Sequence, residues 1–351
     1  MNSGQRWLGT ASLCLLCSAV SCNEGGALLA PPDGRIPRWT YARDHRSNGP
    51  ITDGERVYLT NPGGVVALNA GSGEPAWEFN GRLEGFATPA IAITENVIVI
   101  SWRGTLHGFR ADDGVELWVS DAIGPIGSDG QDGIYMSNRD SLARIDPLTG
   151  EILWTSDLVE TGGIIWAGSP EAICVGRSPI VTVRCYAKSD GSLLWSSGQI
   201  DIAPPGGLKI VDSLVLVGVQ NTWIAFDLDS GNEVWRRGSL PHLSAATARV
   251  NELLYACDWT QGCKAVRSNN GSILWEVSLT DPLSPAASES FIYVIDRSEQ
   301  NPDVKILDPR TGVVEDSIQT EDPGGFRFPP AYGGGILFAA STTRLYAYEY
   351  P

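Results

Sequence analysis

The sequence predicts an all-β fold, an eight-bladed β-propeller closed by its own N-terminal strand, and three observations predict it. A glycine followed four residues later by tryptophan recurs six times, at Gly73/Trp77, Gly114/Trp118, Gly150/Trp154, Gly191/Trp195, Gly231/Trp235 and Gly271/Trp275, with Trp-to-Trp steps of 41, 36, 41, 40 and 40 residues. A period near 40, rich in short strands, marks a stacked repeat architecture. Short apolar runs and turn residues fill the space between the pairs, with no long helical periodicity. The chain also ends on a strand that lacks its partner, and a matching partner stands near the beginning.

Residues 1–21 read as an export signal: Arg6 is their only charge, and Trp7–Val20 is uncharged and too short to span a bilayer comfortably. Ala19-Val20-Ser21-Cys22 resembles a bacterial lipobox, which implies lipidation of Cys22 at the mature N-terminus; ordinary cleavage near Ser21 is the alternative. Cys14 and Cys17 also lie in the apolar stretch. Residues 22–32, beginning Cys22-Asn23-Glu24-Gly25-Gly26, read as the lipidated cysteine and a flexible tether. Asn23 after the cysteine resembles sorting to the outer rather than the inner membrane. The propeller is expected over 33–351.

Within each repeat the residue before the glycine is Ser72, Asp113, Thr149, Asp190, Ser230, Asn270 or Thr311, all suited to tight turns in which glycine supplies a positive φ. Five residues before the glycine stands a large strand former: Leu68, Phe109, Ile145, Tyr186, Phe226, Val266 or Leu307. The position before that is often small (Ala67, Gly108, Cys185, Ala225, Ala265), which leaves room for an indole. Each repeat therefore reads as a strand, a polar-Gly turn and a second strand carrying the tryptophan, with an apolar strand upstream such as Leu214–Val219 or Phe291–Ile295. The seventh copy keeps Gly312 but has Asp316 in the tryptophan position, which predicts a weaker blade. At the end, Leu345-Tyr346-Ala347-Tyr348-Glu349 repeats the strand before the turn and then the chain stops. Asp33-Gly34 leading to Trp39 supplies the missing half, 38 residues before Trp77. Trp39, Trp77, Trp118, Trp154, Trp195, Trp235 and Trp275 are the expected docking tryptophans between blades. Closure protects the sheet edges.

The pattern resembles the PQQ-like repeat family of eight-bladed propellers. It is clearest in Ile145-Asp146-Pro147-Leu148-Thr149-Gly150-Glu151-Ile152-Leu153-Trp154 and in the copy from Phe226 to Trp235. The resemblance covers about residues 33–350 and implies fold; the family holds enzymes, assembly scaffolds and receptor ectodomains. Its quinoprotein enzymes carry two adjacent cysteines, calcium-binding side chains and a catalytic Asp, and this chain has no adjacent cysteine pair. Asp146, Asp227 and Asp308 share one slot four residues before a repeat glycine, where a carboxylate satisfies turn N–H groups. No Gly-x-Ser-x-Gly, no Gly-rich loop opening a helix and no His-Glu-x-x-His is present, and His45, His107 and His242 are scattered. No catalytic residue, cofactor or metal is expected.

Four cysteines follow the signal. Cys174/Cys185 and Cys257/Cys263 each bracket a predicted hairpin, and an oxidising compartment favours a disulfide in each. A metal at Cys257/Cys263 would lack histidine partners. The net charge of −16, one unit more negative once Arg6 is removed, argues against nucleic acid and against anionic membrane surfaces as direct ligands. Outside the repeat slots, Trp166 is expected on an inner strand and Trp223 inside its blade, while Trp102, Arg103 and Trp259 fall in loops and form the candidate binding face. Loop cations including Arg46, Arg82, His242, Arg297, Arg327 and Arg344 are expected on the same face.

Lipobox, tether, N-terminal closure and minimal loops together resemble the scaffold lipoproteins of the β-barrel outer-membrane assembly machinery. That implies a non-catalytic binding protein, lipid-anchored at the outer membrane facing periplasm or exterior, with protein partners in that machinery. The alternatives are an extracytoplasmic glycan- or peptide-recognition propeller and, last, a degenerate PQQ-dependent dehydrogenase.

Overall fold

Eight antiparallel sheets follow one another along the chain in a computed structural model. It describes residues 36–350 apart from 44–46, 62–63, 81–89, 95, 103–104, 122–125, 130, 138–139, 159–163, 178–179, 203–204, 245 and 298–301. The expected signal, Cys22 and the tether lie outside the described residues. Blade one runs from its inner to its outer strand as Ile51–Thr52, Arg56–Asn61, Gly64–Asn69 and Pro75–Asn80, and blades two to seven repeat this meander. Blade eight takes Ala331–Gly333, Ile336–Ala340 and Arg344–Glu349 from the end of the chain and Trp39–Ala42 from its beginning. Trp39 pairs with Ala347 and Ala42 with Arg344, so the N-terminal strand closes the ring. Among the described residues blade four alone departs from four strands: Asp201–Ile202 adds to the start of Ile180–Ala187.

Each repeat glycine satisfies two constraints. Its N–H closes the turn onto the carbonyl four residues back, as Gly150 does onto Asp146 at 2.8 Å, with φ of +76°. It also lies flat against the indole of the preceding blade: a Cβ on Gly114 would stand 2.6 Å from the Trp77 ring, and one on Gly312 2.5 Å from Trp275. Only glycine meets both demands. In seven blades the third and outer strands slip register beside the large third-strand residue, as between Ala67 and Leu68. Such bulges increase strand twist.

Every docking indole donates to a carbonyl of the next blade. Trp39 reaches Ala70 (2.9 Å), Trp77 Ala111 (2.8 Å), Trp118 Pro147 (2.8 Å), Trp154 Lys188 (2.9 Å), Trp195 Leu228 (2.6 Å), Trp235 Ser268 (3.0 Å) and Trp275 Pro309 (2.8 Å). A buried indole N–H requires a partner, and a carbonyl at a turn provides one without distorting a strand.

The eighth junction, between blades seven and eight, is built otherwise. Asp316 pairs opposite Ile306, so where the indole is missing the usual small neighbour is a buried isoleucine. Tyr350 stands where the other junctions place their accepting carbonyl, its N–H bonded to Gly335 O and its own O accepting from the Tyr332 hydroxyl at 3.3 Å. Its ring meets Phe291 and Tyr293 edge-on. A tyrosine cluster thus packs the junction that lacks a tryptophan.

Candidate functional site

In this meander the hairpins between second and third strands share one face with the blade-to-blade connections. The inner hairpins and the polar-Gly turns occupy the other. Of the candidate binding residues, Trp102 ends the second strand of blade two and pairs with Thr105, Arg103 lies outside the described residues, and Trp259 sits at the corresponding tip of blade six. Four blades of eight separate the two tips. They share a face but lie on opposite sides of the ring axis, so the structure does not bring them into one patch.

Blade six builds its corner with unusual rigidity. Cys257 and Cys263 are directly cross-strand paired and disulfide-bonded at the base of the turn, with Cα atoms 4.1 Å apart. Asp258 turns its carboxylate inward. Oδ1 accepts from Thr260 N, Thr260 Oγ1 and Gln261 N, each at 2.7 Å, and Oδ2 accepts from His242 N in the incoming connection at 2.6 Å. Burial pushes this carboxyl up, but those hydrogen bonds outweigh it and hold it below the usual carboxylate range. Gly262 has φ of +66°, and a Cβ there would stand 2.4 Å from Val277 O. The turn presents Trp259, 74% exposed. Beside it lies a cavity of about 270 Å³ lined by Trp259, Thr260, Gln261, Glu276, Ser278 and Leu279, among others. Glu276 is held by Lys264, whose buried ammonium lies 3.0 Å from it and also donates to Ser239 O.

The second disulfide, Cys174–Cys185, links the second and third strands of blade four away from any hairpin tip, with Cα atoms 4.0 Å apart. The four cysteines therefore serve two separate blades. Trp223 is fully buried and donates to Pro241 O at 2.7 Å. Trp166 is half-buried on its inner strand against Gly127 of the previous blade. Among the expected loop cations, Arg297 pairs with Asp281 at 3.0 Å and Arg344 lies 4.0 Å from Asp322.

On the opposite face a cleft of about 690 Å³ opens between blades three and four. Beneath it Lys188 lies 2.6 Å from Asp129, whose side chain is fully buried, and 2.5 Å from Asp132. Tyr135 donates to Asp129 at 3.2 Å, while Arg144 bonds Asp132 at 3.1 Å and Lys188 O at 3.2 Å. Burial alone would lower the Lys188 ammonium, but the two carboxylates hold its pKa above the usual lysine value. The Lys188 hydrogen bond, opposed by burial and aided by the charges of Lys188 and Arg144, lowers Asp132. Burial and then the Asp129 charge raise the Tyr135 hydroxyl. Lys188 is shared between two carboxylates of the neighbouring blade, so the group is an ion-paired cross-link between blades three and four.

Sequence reasoning missed this cluster. One signal existed: Lys188 is the only charged residue in the slot otherwise held by Ala70, Ala111, Pro147, Leu228, Ser268 and Pro309. Asp146, Asp227 and Asp308 each accept turn N–H groups, as Asp146 does from Leu148 and Thr149.

A family profile described as outer membrane protein assembly factor BamB matches residues 23–130 and 138–349. The outer membrane protein assembly factor BamB of Bordetella pertussis is 24% identical over 286 residues, covering 71% of this chain and 72% of that protein. The crystal structure of BamB from Moraxella catarrhalis superposes with a TM-score of 0.67 at 16% identity, over 90% of this chain and all of that one. Quinohemoprotein alcohol dehydrogenase from Comamonas testosteroni superposes similarly, with a TM-score of 0.68 at 11% identity over 91% of this chain and 77% of its own, a likeness of fold alone.

Proposed function

The chain belongs to the family of the outer membrane protein assembly factor BamB, and on that premise we propose that it is a non-catalytic scaffold lipoprotein. It is anchored through Cys22 and holds protein partners during outer-membrane protein assembly. The match of that family over nearly the whole ring is the observation that carries this function. Further support comes from short hairpins within the blades and from charged groups that are paired with one another instead of converging on a reactive atom. The partner-facing surface is the one that bears the blade connections, with the tips of blades two and six as separate contacts on opposite sides of the axis.

Photo-crosslinking in the native cell from positions 103 and 259, with mass spectrometry of the adducts, tests it. Adducts with outer-membrane assembly proteins are the expected result. If neither position captures such a protein, the scaffold function is wrong.

A further inference from the structure

We propose that the corner of blade six is a saccharide-binding site, in which one pyranose ring stacks on Trp259 and its hydroxyls bond the rim of the adjoining cavity. This goes beyond the scaffold function and does not depend on it.

The fold does not require a tryptophan here. Blade five closes the same hairpin with Gln220–Asn221, unstapled and without an aromatic. In blade six the chain instead exposes its largest side chain to water and fixes the turn beneath it. The disulfide, the four hydrogen bonds to Asp258 and the close approach of Gly262 to Val277 O act from three sides. A turn held in this way loses little backbone freedom when the indole it carries is engaged.

The cavity beside the ring narrows the ligand class. Thr260, Gln261, Glu276 and Ser278 give it hydroxyl, amide and carboxylate groups. Thr260 already bonds Asp258 and Glu276 already bonds Lys264, but an apolar ligand would take water from the Gln261 amide and the Ser278 hydroxyl without replacing it, at a cost in affinity. A simple cation is a poor match, because the Glu276 charge is already balanced by the buried Lys264 ammonium. That ammonium also orients the carboxylate as an acceptor. A sugar ring presents an apolar C–H face to the indole and a rim of hydroxyls to the polar wall, so it satisfies both surfaces at once. The volume of about 270 Å³ lies just below the roughly 300–1,000 Å³ that hold drug-sized ligands. The corner therefore takes one ring and leaves neighbouring sugars in solvent, as suits a longer glycan.

The test titrates the purified protein with the tetramer of N-acetylglucosamine, with cellotetraose and with maltotetraose, read by calorimetry and intrinsic tryptophan fluorescence. The N-acetylated tetramer represents amino-sugar chains of the wall type; the other two represent neutral glucans. Saturable binding of at least one is expected, weakened about tenfold or more by Trp259→Ala and less by Trp259→Phe, the loss typical of an aromatic anchor. Gln261→Ala should weaken it by a smaller factor. Trp259 is exposed, so unchanged thermal unfolding of these variants separates loss of binding from loss of fold. Absence of saturable binding by all three tetramers, or binding that survives Trp259→Ala, overturns the proposal.

Discussion

Replacing Trp77 or Trp154 by alanine probes the bond between neighbouring blades, and the two should not cost the same. Both indoles are 8% exposed. A tryptophan side chain buries up to about 250 Å². At about 25 cal/mol per Å² that is about 6 kcal/mol, of which alanine keeps roughly 1. Residual burial in the unfolded chain reduces the difference to about 4 kcal/mol, within the usual cost for a buried aromatic. The carbonyls then separate the two sites. Ala111 O accepts from the Trp77 indole, and its loss adds about 1 kcal/mol. Lys188 O keeps a second donor, Arg144 Nη1, when Trp154 is removed. The expected losses are about 5 kcal/mol for Trp77→Ala and about 4 kcal/mol for Trp154→Ala. At about 2 °C per kcal/mol for a chain of this size, Tm falls by about 10 °C and about 8 °C. Differential scanning calorimetry of both variants checks this. A Tm within about 2 °C of the parent would refute the docking role of the indole. A larger loss at Trp154 than at Trp77 would refute the accounting of the carbonyls.

Lys188→Met should destabilise by about 3–5 kcal/mol, because it strands the buried Asp129 carboxylate, and adding Asp129→Asn should recover part of the loss in denaturant titrations. The pH profile of Tm gives a second check. Asp132 is depressed, so its contribution is present above the unfolded carboxylate pKa and lost as pH falls through the folded value; Lys188 is raised, so its contribution is present below the unfolded lysine pKa and lost as pH rises through the folded value. Between about pH 5 and pH 9 the cross-link should therefore contribute evenly, and a Lys188→Met difference that drifted across that window would count against it. In the chain-entropy description, removal of Cys257–Cys263 by paired serine substitution should cost about 2 kcal/mol and of Cys174–Cys185 about 3 kcal/mol, measured by guanidinium unfolding. Tyr350→Ala should cost about 3 kcal/mol and hasten proteolysis around blades seven and eight, whereas parental stability would show that another group closes that junction.

The blade count and ring closure were legible because the constraint on each repeat is local and recurs. A glycine that must adopt positive φ and also lie under an indole leaves the same mark each time. The partner strand was legible because Leu345–Glu349 repeats the strand before the turn and Trp39 supplies the tryptophan after it. The Lys188 cluster was not, because Asp129 and Asp132 belong to a different repeat and to an irregular inner hairpin. Asp316 announced that an indole was missing without indicating that Tyr350 and Tyr332 occupy the junction, since nothing in a lost residue specifies its substitute. Trp102 and Trp259 looked like one surface because sequence shows which face a hairpin occupies more readily than where around the axis it stands.

The pairing of Trp39 with Ala347 also dictates an order of events during biosynthesis. Trp39–Ala42 finds its place only after Arg344–Glu349 has emerged. Blades one to seven can stack as they arrive, each from contacts within about 40 residues, but blade eight needs a contact across the whole chain, the slowest kind to form. Until then Arg344–Glu349 presents an open edge, apolar on both faces and free to pair with any passing strand. The ring is most exposed to misassembly in that interval, and the four residues Trp39–Ala42 end it.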